Sequence, residues 1–282
     1  MKYGMNLLLW TGHVSSEHFP ILEKLKKTGY DGVEVPLFEG NAAHFKTVKN
    51  ELDNLGLGAT TVTVIPDEAH SPISPDAKCR QAGLDRIKWA IEMSGVLGAD
   101  VMAGPYHSPL AVFSGQGPTA EEKKRAVEVL RAAAEFAQQH KVKLTIEYLN
   151  RFECYFLTTA KDAAALVDAV NHPWFRTMYD SFHANIEEKS PGAAVGALGG
   201  RFAHVHISEN DRGTPGTGMV HWKETFQALK QAKYEGWMTI EAFGRALPAL
   251  AAATRVWRDL FPNPEEVYTQ GLRFMKESWA RA

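Results

Sequence analysis

Short apolar runs of strand length alternate with longer amphipathic segments of helical spacing along the whole chain, and this alternation restricts the fold more than any other feature. Parallel strands cannot be joined by tight hairpins and need crossover helices, which produces that order. The strands expected are Tyr3 to Leu9, Gly32 to Val35, Ala59 to Ile65, Asp100 to Ala103, Lys143 to Glu147, Arg176 to Asp180, Phe202 to Ser208 and Trp237 to Glu241. Helical segments between them include Ser16 to Lys27, Asp76 to Leu97, Thr119 to His140, Thr159 to Val170 and Trp222 to Lys233, several opening on a Ser, Thr or Asp suited to an N-cap. Eight such units leave about 35 residues each, the size of a closed (β/α)8 barrel. An open doubly wound sheet would announce itself by a glycine-rich turn after the first strand, and Leu9-Trp10-Thr11-Gly12-His13 lacks the G-x-G-x-x-G spacing. The expected fold is α/β, a single (β/α)8 TIM barrel over residues 1–282, with the last helical segment (about 262–282) packing on the barrel or at a subunit interface.

Composition excludes several partners. Lys plus Arg total 31 against 33 Asp plus Glu, so there is no global field to draw in nucleic acid or an anionic membrane. Cys79 and Cys154 stand far apart and form no C-x-x-C or zinc spacing, which suits a reducing, cytoplasmic setting. No apolar run reaches the length of about 18 residues expected of a membrane span. The opening residues, Met1 to Trp10, are expected to form the first strand rather than a signal peptide.

Four of the expected strands end on ligand-type side chains. Glu147, Asp180, His206 and Glu241 close or nearly close apolar runs, 33, 26 and 35 residues apart, each about one β/α unit. Catalytic side chains of this fold sit at the C-terminal ends of the strands, so the four are expected at one rim. Three carboxylates crowded together repel, and without a cation at least one must take up a proton. A divalent metal resolves the repulsion, and a set of three carboxylates and one imidazole favours Mn2+, Mg2+ or Co2+ over a thiolate-type zinc site. Residues two positions back, Thr145, Met178, His204 and Thr239, share the inward face, and His204 is read as a structural residue beneath the site rather than a fifth ligand.

The loops that follow supply a second set of candidates. Glu153, His183 and Arg212 are placed to hydrogen-bond a polyhydroxylated substrate, with Gly213, Pro215, Gly216 and Gly218 shaping a tight loop. The bland alternative for Arg212 is a surface ion pair with Asp211 or Glu209. His107 follows the fourth strand on the same face, and Trp10, Tyr106 and Phe243 are candidates for packing on sugar C–H faces, core packing being the competing reading. The glycine-rich stretch from Gly192 to Gly200 lacks a Walker lysine and is expected to end a helix before strand seven.

The runs Ile146-Glu147-Tyr148-Leu149-Asn150-Arg151-Phe152-Glu153, Tyr179-Asp180-Ser181-Phe182-His183, His204-Val205-His206-Ile207-Ser208-Glu209-Asn210-Asp211-Arg212-Gly213-Thr214-Pro215-Gly216 and Ile240-Glu241-Ala242-Phe243-Gly244 resemble the ketose 3-epimerases. These are the D-tagatose and D-psicose (D-allulose) 3-epimerases of the xylose-isomerase-like barrel superfamily. The resemblance implies a metal site, usually manganese, at Glu147, Asp180, His206 and Glu241. It implies proton transfer by Glu147 and Glu241, and substrate binding by Glu153, His183 and Arg212. It also implies a homodimer or homotetramer. The loops after strands one to four resemble the family only loosely, and they line the part of the pocket that meets the distal end of the sugar. The expected activity is epimerisation at C3 of an unphosphorylated ketose such as D-tagatose, D-fructose, D-psicose or L-ribulose. The nearest rival is an aldose-ketose isomerase of the hydroxypyruvate or rhamnose isomerase type. More remote are a metal-dependent endonuclease of the endonuclease IV type, disfavoured by the acidic balance, and a non-catalytic sugar-binding barrel.

Overall fold

The computed structural model of the protein describes residues 1–282. Eight parallel strands close into a barrel in sequence order: β1 (Lys2–Asn6), β2 (Gly32–Pro36), β3 (Gly58–Val62), β4 (Val101–Gly104), β5 (Lys143–Ile146), β6 (Phe175–Asp180), β7 (Phe202–Ile207) and β8 (Trp237–Ile240). Closure pairs β1 with β8 and leaves no sheet edge exposed. The helices are α1 (Phe19–Thr28), α2 (Ala42–Leu55), α3 (Ala77–Leu97), α4 (Ala120–His140), α5 (Ala160–Val170), α6 (Ser181–Glu187), α7 (Pro191–Leu198), α8 (Trp222–Gln231), α9 (Pro248–Thr254) and α10 (Pro264–Arg281). No helix is long and apolar enough to cross a membrane.

All eight expected strands are present, and the main departures lie at their ends. Leu7–Leu9, read as the end of the first strand, form a 3-10 turn that Asn6 caps by accepting from the Leu8 amide. β3 stops at Val62, three residues short of the expected Ile65. Asp76, Thr119 and Thr159 cap their helices as expected, whereas Ser16 lies in a 3-10 turn and α1 begins only at Phe19. Thr119 accepts from the Glu122 amide while the Glu122 carboxylate accepts from the Thr119 amide, a reciprocal pair that starts α4. The 192–200 glycines belong to α7 and a short 3-10 turn leading into β7. At the other end of the chain, α10 packs against the barrel wall through Val267, Leu272 and Met275, and its Tyr268 carbonyl accepts from the Tyr30 hydroxyl at 2.7 Å.

The two ends of the barrel are filled differently. At the N-terminal end the Trp237 indole lies where Gly4, Gly32 and Gly58 leave room. A Cβ on Gly32 would overlap the Gly58 carbonyl and stand 2.5 Å from Trp237 Cη2. Gly32→Ala is therefore expected to destabilise the fold by about 1–3 kcal/mol, the cost of overpacking a filled core. Urea unfolding measures it, and an unchanged midpoint would contradict the packing argument. The C-terminal end is where charged side chains converge.

Candidate active site

Register places the four strand-end residues together. Asp180 pairs with His206 across β6 and β7, and His206 pairs with Thr239 across β7 and β8, two residues before Glu241. Glu147 and Glu241 stand one residue past the ends of β5 and β8 and continue the ladder, their backbone N–H groups donating hydrogen bonds to the carbonyls of Gly104 and Ile207. One ligand atom from each of Glu147, Asp180, His206 and Glu241 lies within 4.8 Å of all the others, and all four residues are buried.

His206 Nδ1 stands 3.4 Å from Glu241 Oε1, 3.5 Å from Asp180 Oδ2 and 3.9 Å from Glu147 Oε1. It has no hydrogen-bond partner. The separations are at or beyond the limit of a hydrogen bond. An orphaned buried nitrogen facing three buried carboxylates is the donor set of a divalent-cation site, and the residues present fit such an ion.

The same crowding shifts the titrations. Burial, followed by Glu241 and Asp180, pushes the Glu147 carboxyl well above its ordinary range. Burial would raise Asp180 too, but His183, Arg212 and His206 outweigh it and hold that carboxyl low. Burial opposes protonation of His206, yet Glu241 and Glu34 raise it well above the usual imidazole value.

Arg212 closes the site from the loop after β7. Its backbone is in the left-handed region (φ 68°), and its guanidinium lies 3.7 Å from the centre of the Phe182 ring and 4.9 Å from that of Phe243. Nη1 donates to Glu241 Oε2 at 2.6 Å, to Ser208 Oγ at 3.0 Å and to Asp180 Oδ2 at 3.4 Å. The surface ion pair with Asp211 or Glu209 is thus not formed. Glu209 instead folds the loop, its carboxylate accepting from the amides of Asn210, Gly216 and Val220 and from the Trp222 indole.

The tautomer of His183 follows from its neighbours. Nδ1 accepts from the Asn150 amide at 3.0 Å, and burial lowers the imidazole pKa, so the neutral ring carries its proton on Nε2. That N–H faces Glu147 Oε1 at 3.5 Å, and Arg212 Nη2 at 3.1 Å is a second donor beside it rather than a partner. Asn150 also donates to Glu153 Oε1 at 2.7 Å. Glu147, Glu153, His183, Arg212 and Glu241 therefore line one cleft, whose remaining wall is mostly apolar: Leu8, Phe38, Val62, Val64, Pro105, Leu110, Leu149, Phe243 and Leu250. A second groove, on the outside between α4 and α5, is lined mainly by Val127, Phe156, Leu157 and Leu166 and holds none of the converging charges.

Two expected substrate contacts do not reach the cleft. Trp10 follows the 3-10 turn and faces Tyr268 of α10 with ring centres 6.1 Å apart, while Leu8 of that turn takes the place on the cleft wall. His107 is fully buried beneath its loop, with Nδ1 at 2.8 Å from Ser108 Oγ and its ring beside Phe156; Pro105 and Leu110 face the cleft instead. Tyr106 is core packing and Phe243 is on the cleft wall.

Burial pushes the His107 pKa down to about 3. The unfolded chain then binds a proton below its ordinary value of about 6.5 that the folded chain refuses. The stability this neutral ring contributes is complete above that value and is lost as pH falls towards 3. His107→Asn is expected to remove roughly 2–3 kcal/mol of the stability lost between pH 7 and 4.5. Urea midpoints at the two pH values measure this, and equal pH dependence in both proteins would contradict it.

Sequence reasoning missed Glu34 and Asn6. Glu34 Oε1 lies 2.7 Å from His206 Nε2, and Asn6 Nδ2 donates to both Glu34 Oε1 and Glu241 Oε1. The available signal was a lone carboxylate in the apolar run Gly32-Val33-Glu34-Val35. His204 does lie beneath the four, with Nε2 at 2.8 Å from Glu34 Oε2.

A closed barrel with charged groups at the C-terminal strand ends defines a class, and the chain belongs to it: the xylose isomerase-like TIM barrel family, whose pattern matches residues 22–278. Its relatives include a probable ketose 3-epimerase of Synechocystis sp., 29% identical over 99% of this chain and 97% of that one. The D-psicose 3-epimerase of Agrobacterium fabrum is 31% identical over 92% of this chain and 91% of its own. Among solved structures, the D-allulose 3-epimerase of Methylomonas sp. in complex with D-allulose superposes with a TM-score of 0.91 at 28% identity, covering 99% of this chain and 97% of that one.

Proposed function

We propose that this chain epimerises a free ketose at C3, with Glu147 and Glu241 exchanging the C3 proton on opposite faces of the sugar. The observation that carries the reading is the convergence of Glu147, Asp180, His206 and Glu241 within 4.8 Å. These four would hold a divalent cation, of the Mn2+, Mg2+ or Co2+ kind by the chemistry of the set and manganese by the family resemblance, and that ion would supply Lewis-acid polarisation of the ketose carbonyl. The protein's own groups do the rest. Inverting C3 needs a base on one face and an acid on the other, and Glu147 and Glu241 come from β5 and β8, three strands apart around the rim. His183 Nε2–H and the Arg212 guanidinium offer donors to the sugar oxygens where negative charge develops in the enediolate, and Glu153 offers an acceptor.

The cleft favours an unphosphorylated sugar. Arg212 is its only cationic lining residue and is already shared between Glu241 and Asp180. A phosphate at the distal end would meet Phe38, Val62 and Leu250. The substrate class is then that of D-tagatose, D-fructose, D-psicose or L-ribulose. The same reading takes the protein to be cytoplasmic and a homodimer or homotetramer, the assembly being checked by light scattering. The deciding experiment is incubation of the manganese-loaded protein with free ketoses in D2O. Deuterium entering at C3 with appearance of the C3 epimer is expected; deuterium at C1 with aldose formation would establish the isomerase reading instead.

A further inference from the structure

The carboxylate of Glu34 is fully buried inside the barrel, reaching from β2 across to β7. Each of its oxygens meets two groups. Oε1 accepts from Asn6 Nδ2 at 2.9 Å and lies 2.7 Å from His206 Nε2; Oε2 accepts from Thr60 Oγ1 at 2.9 Å and lies 2.8 Å from His204 Nε2. The orientation of Asn6 is fixed, because its Oδ1 accepts from the Leu8 amide at 2.8 Å, so the end turned to Glu34 is the NH2 donor. Oε1 is thus already an acceptor, and His206 Nε2 beside it completes the arrangement by donating.

We propose that Glu34 is a positioning residue, holding the His206 imidazole with its proton on Nε2 so that the Nδ1 lone pair is presented to the space shared by Glu147, Asp180 and Glu241. This rests on reading those four residues as a divalent-cation site. An imidazole ligand is oriented by what its other nitrogen donates to, and losing that partner typically weakens metal binding 10- to 100-fold. A glutamine can turn its NH2 to the Thr60 hydroxyl and His204 Nε2, either of which can accept, and then offers Asn6 and His206 only a neutral amide oxygen, a weaker acceptor than the carboxylate. Asn6 extends the effect, since its Nδ2 also reaches Glu241 Oε1 at 3.3 Å and ties two of the four residues to Glu34.

The test compares wild type, Glu34→Gln and Glu34→Asp. Free Mn2+ is titrated by electron paramagnetic resonance, and the magnesium-loaded proteins carrying 15N-histidine are examined by NMR. Thermal melting of each metal-free protein serves as the control for folding. Wild type is expected to show a hydrogen-bonded, slowly exchanging His206 Nε2–H, identified by its disappearance in His206→Gln. Glu34→Gln is expected to lose about 10-fold in Mn2+ affinity and to show a faster-exchanging His206 Nε2–H, with Glu34→Asp keeping more of both. Equal affinity and an unchanged His206 resonance in a folded Glu34→Gln would overturn the inference. Should Glu34→Gln fail to fold, the wild-type spectrum decides: Nε2 without its proton overturns the inference and a protonated Nε2 supports it. Wild type that binds no Mn2+ sinks the cation-site reading itself, a different outcome from wild type and Glu34→Gln binding equally.

Discussion

Glu147→Gln and Glu241→Gln are each expected to lower turnover of a free ketose by about 10³-fold, within the range contributed by a positioned acid or base. The exchange pattern is more diagnostic than the rate. With one carboxyl replaced, the other can still remove and return the C3 proton on its own face. Each variant should therefore wash deuterium into one epimer only, and the two variants should choose opposite epimers. Glu241 Oε2 is held by Arg212 at 2.6 Å while Oε1 faces His206 and Asn6, so an isosteric amide keeps the shape of the site but turns a donor towards one of these partners. Near-wild-type turnover in both variants would remove the two-glutamate assignment.

Removal of divalent ions by a chelator is expected to cost at least about 10³-fold in activity, restored by Mn2+ and to differing degrees by Co2+ or Mg2+. The reason is the charge balance among the four residues. Three carboxylates are buried around one imidazole, and Arg212 answers only two of them directly. Groups so confined either take up protons or hold a cation. The same ion should stabilise the fold, by about 2.7 kcal/mol at one hundred times its Kd. Melting temperatures with and without Mn2+ measure this; activity that survives chelation, or a melting temperature indifferent to the ion, would contradict it.

The four converging residues were legible in the sequence because each stands at the end of an apolar run, one β/α unit from the next, and a closed barrel brings such positions to one rim. Glu153, His183 and Arg212 were legible for the same reason, following those runs by a few residues. Trp10 and His107 show where that reasoning fails. Position after a strand says which end of the barrel a residue occupies, not which way the chain turns. A 3-10 turn over Leu7–Leu9 directs Trp10 to α10, and the loop after β4 turns His107 inward. Glu34 was hidden because a single acidic residue in a short apolar strand carries no mark of its partner, 172 residues away. The apolar wall from Phe38, Val62, Val64 and Leu250 reads in the sequence as ordinary core, and only the folded chain places it beside the charged groups.

The central claim is that Glu147, Asp180, His206 and Glu241 hold one divalent ion between them. Calorimetric titration of the chelator-treated protein with Mn2+, in parallel with Asp180→Asn, tests it most directly. The account predicts one ion per chain in wild type and a loss of at least 100-fold in affinity in the variant. Absence of binding in wild type, or an unaltered isotherm in Asp180→Asn, would contradict it.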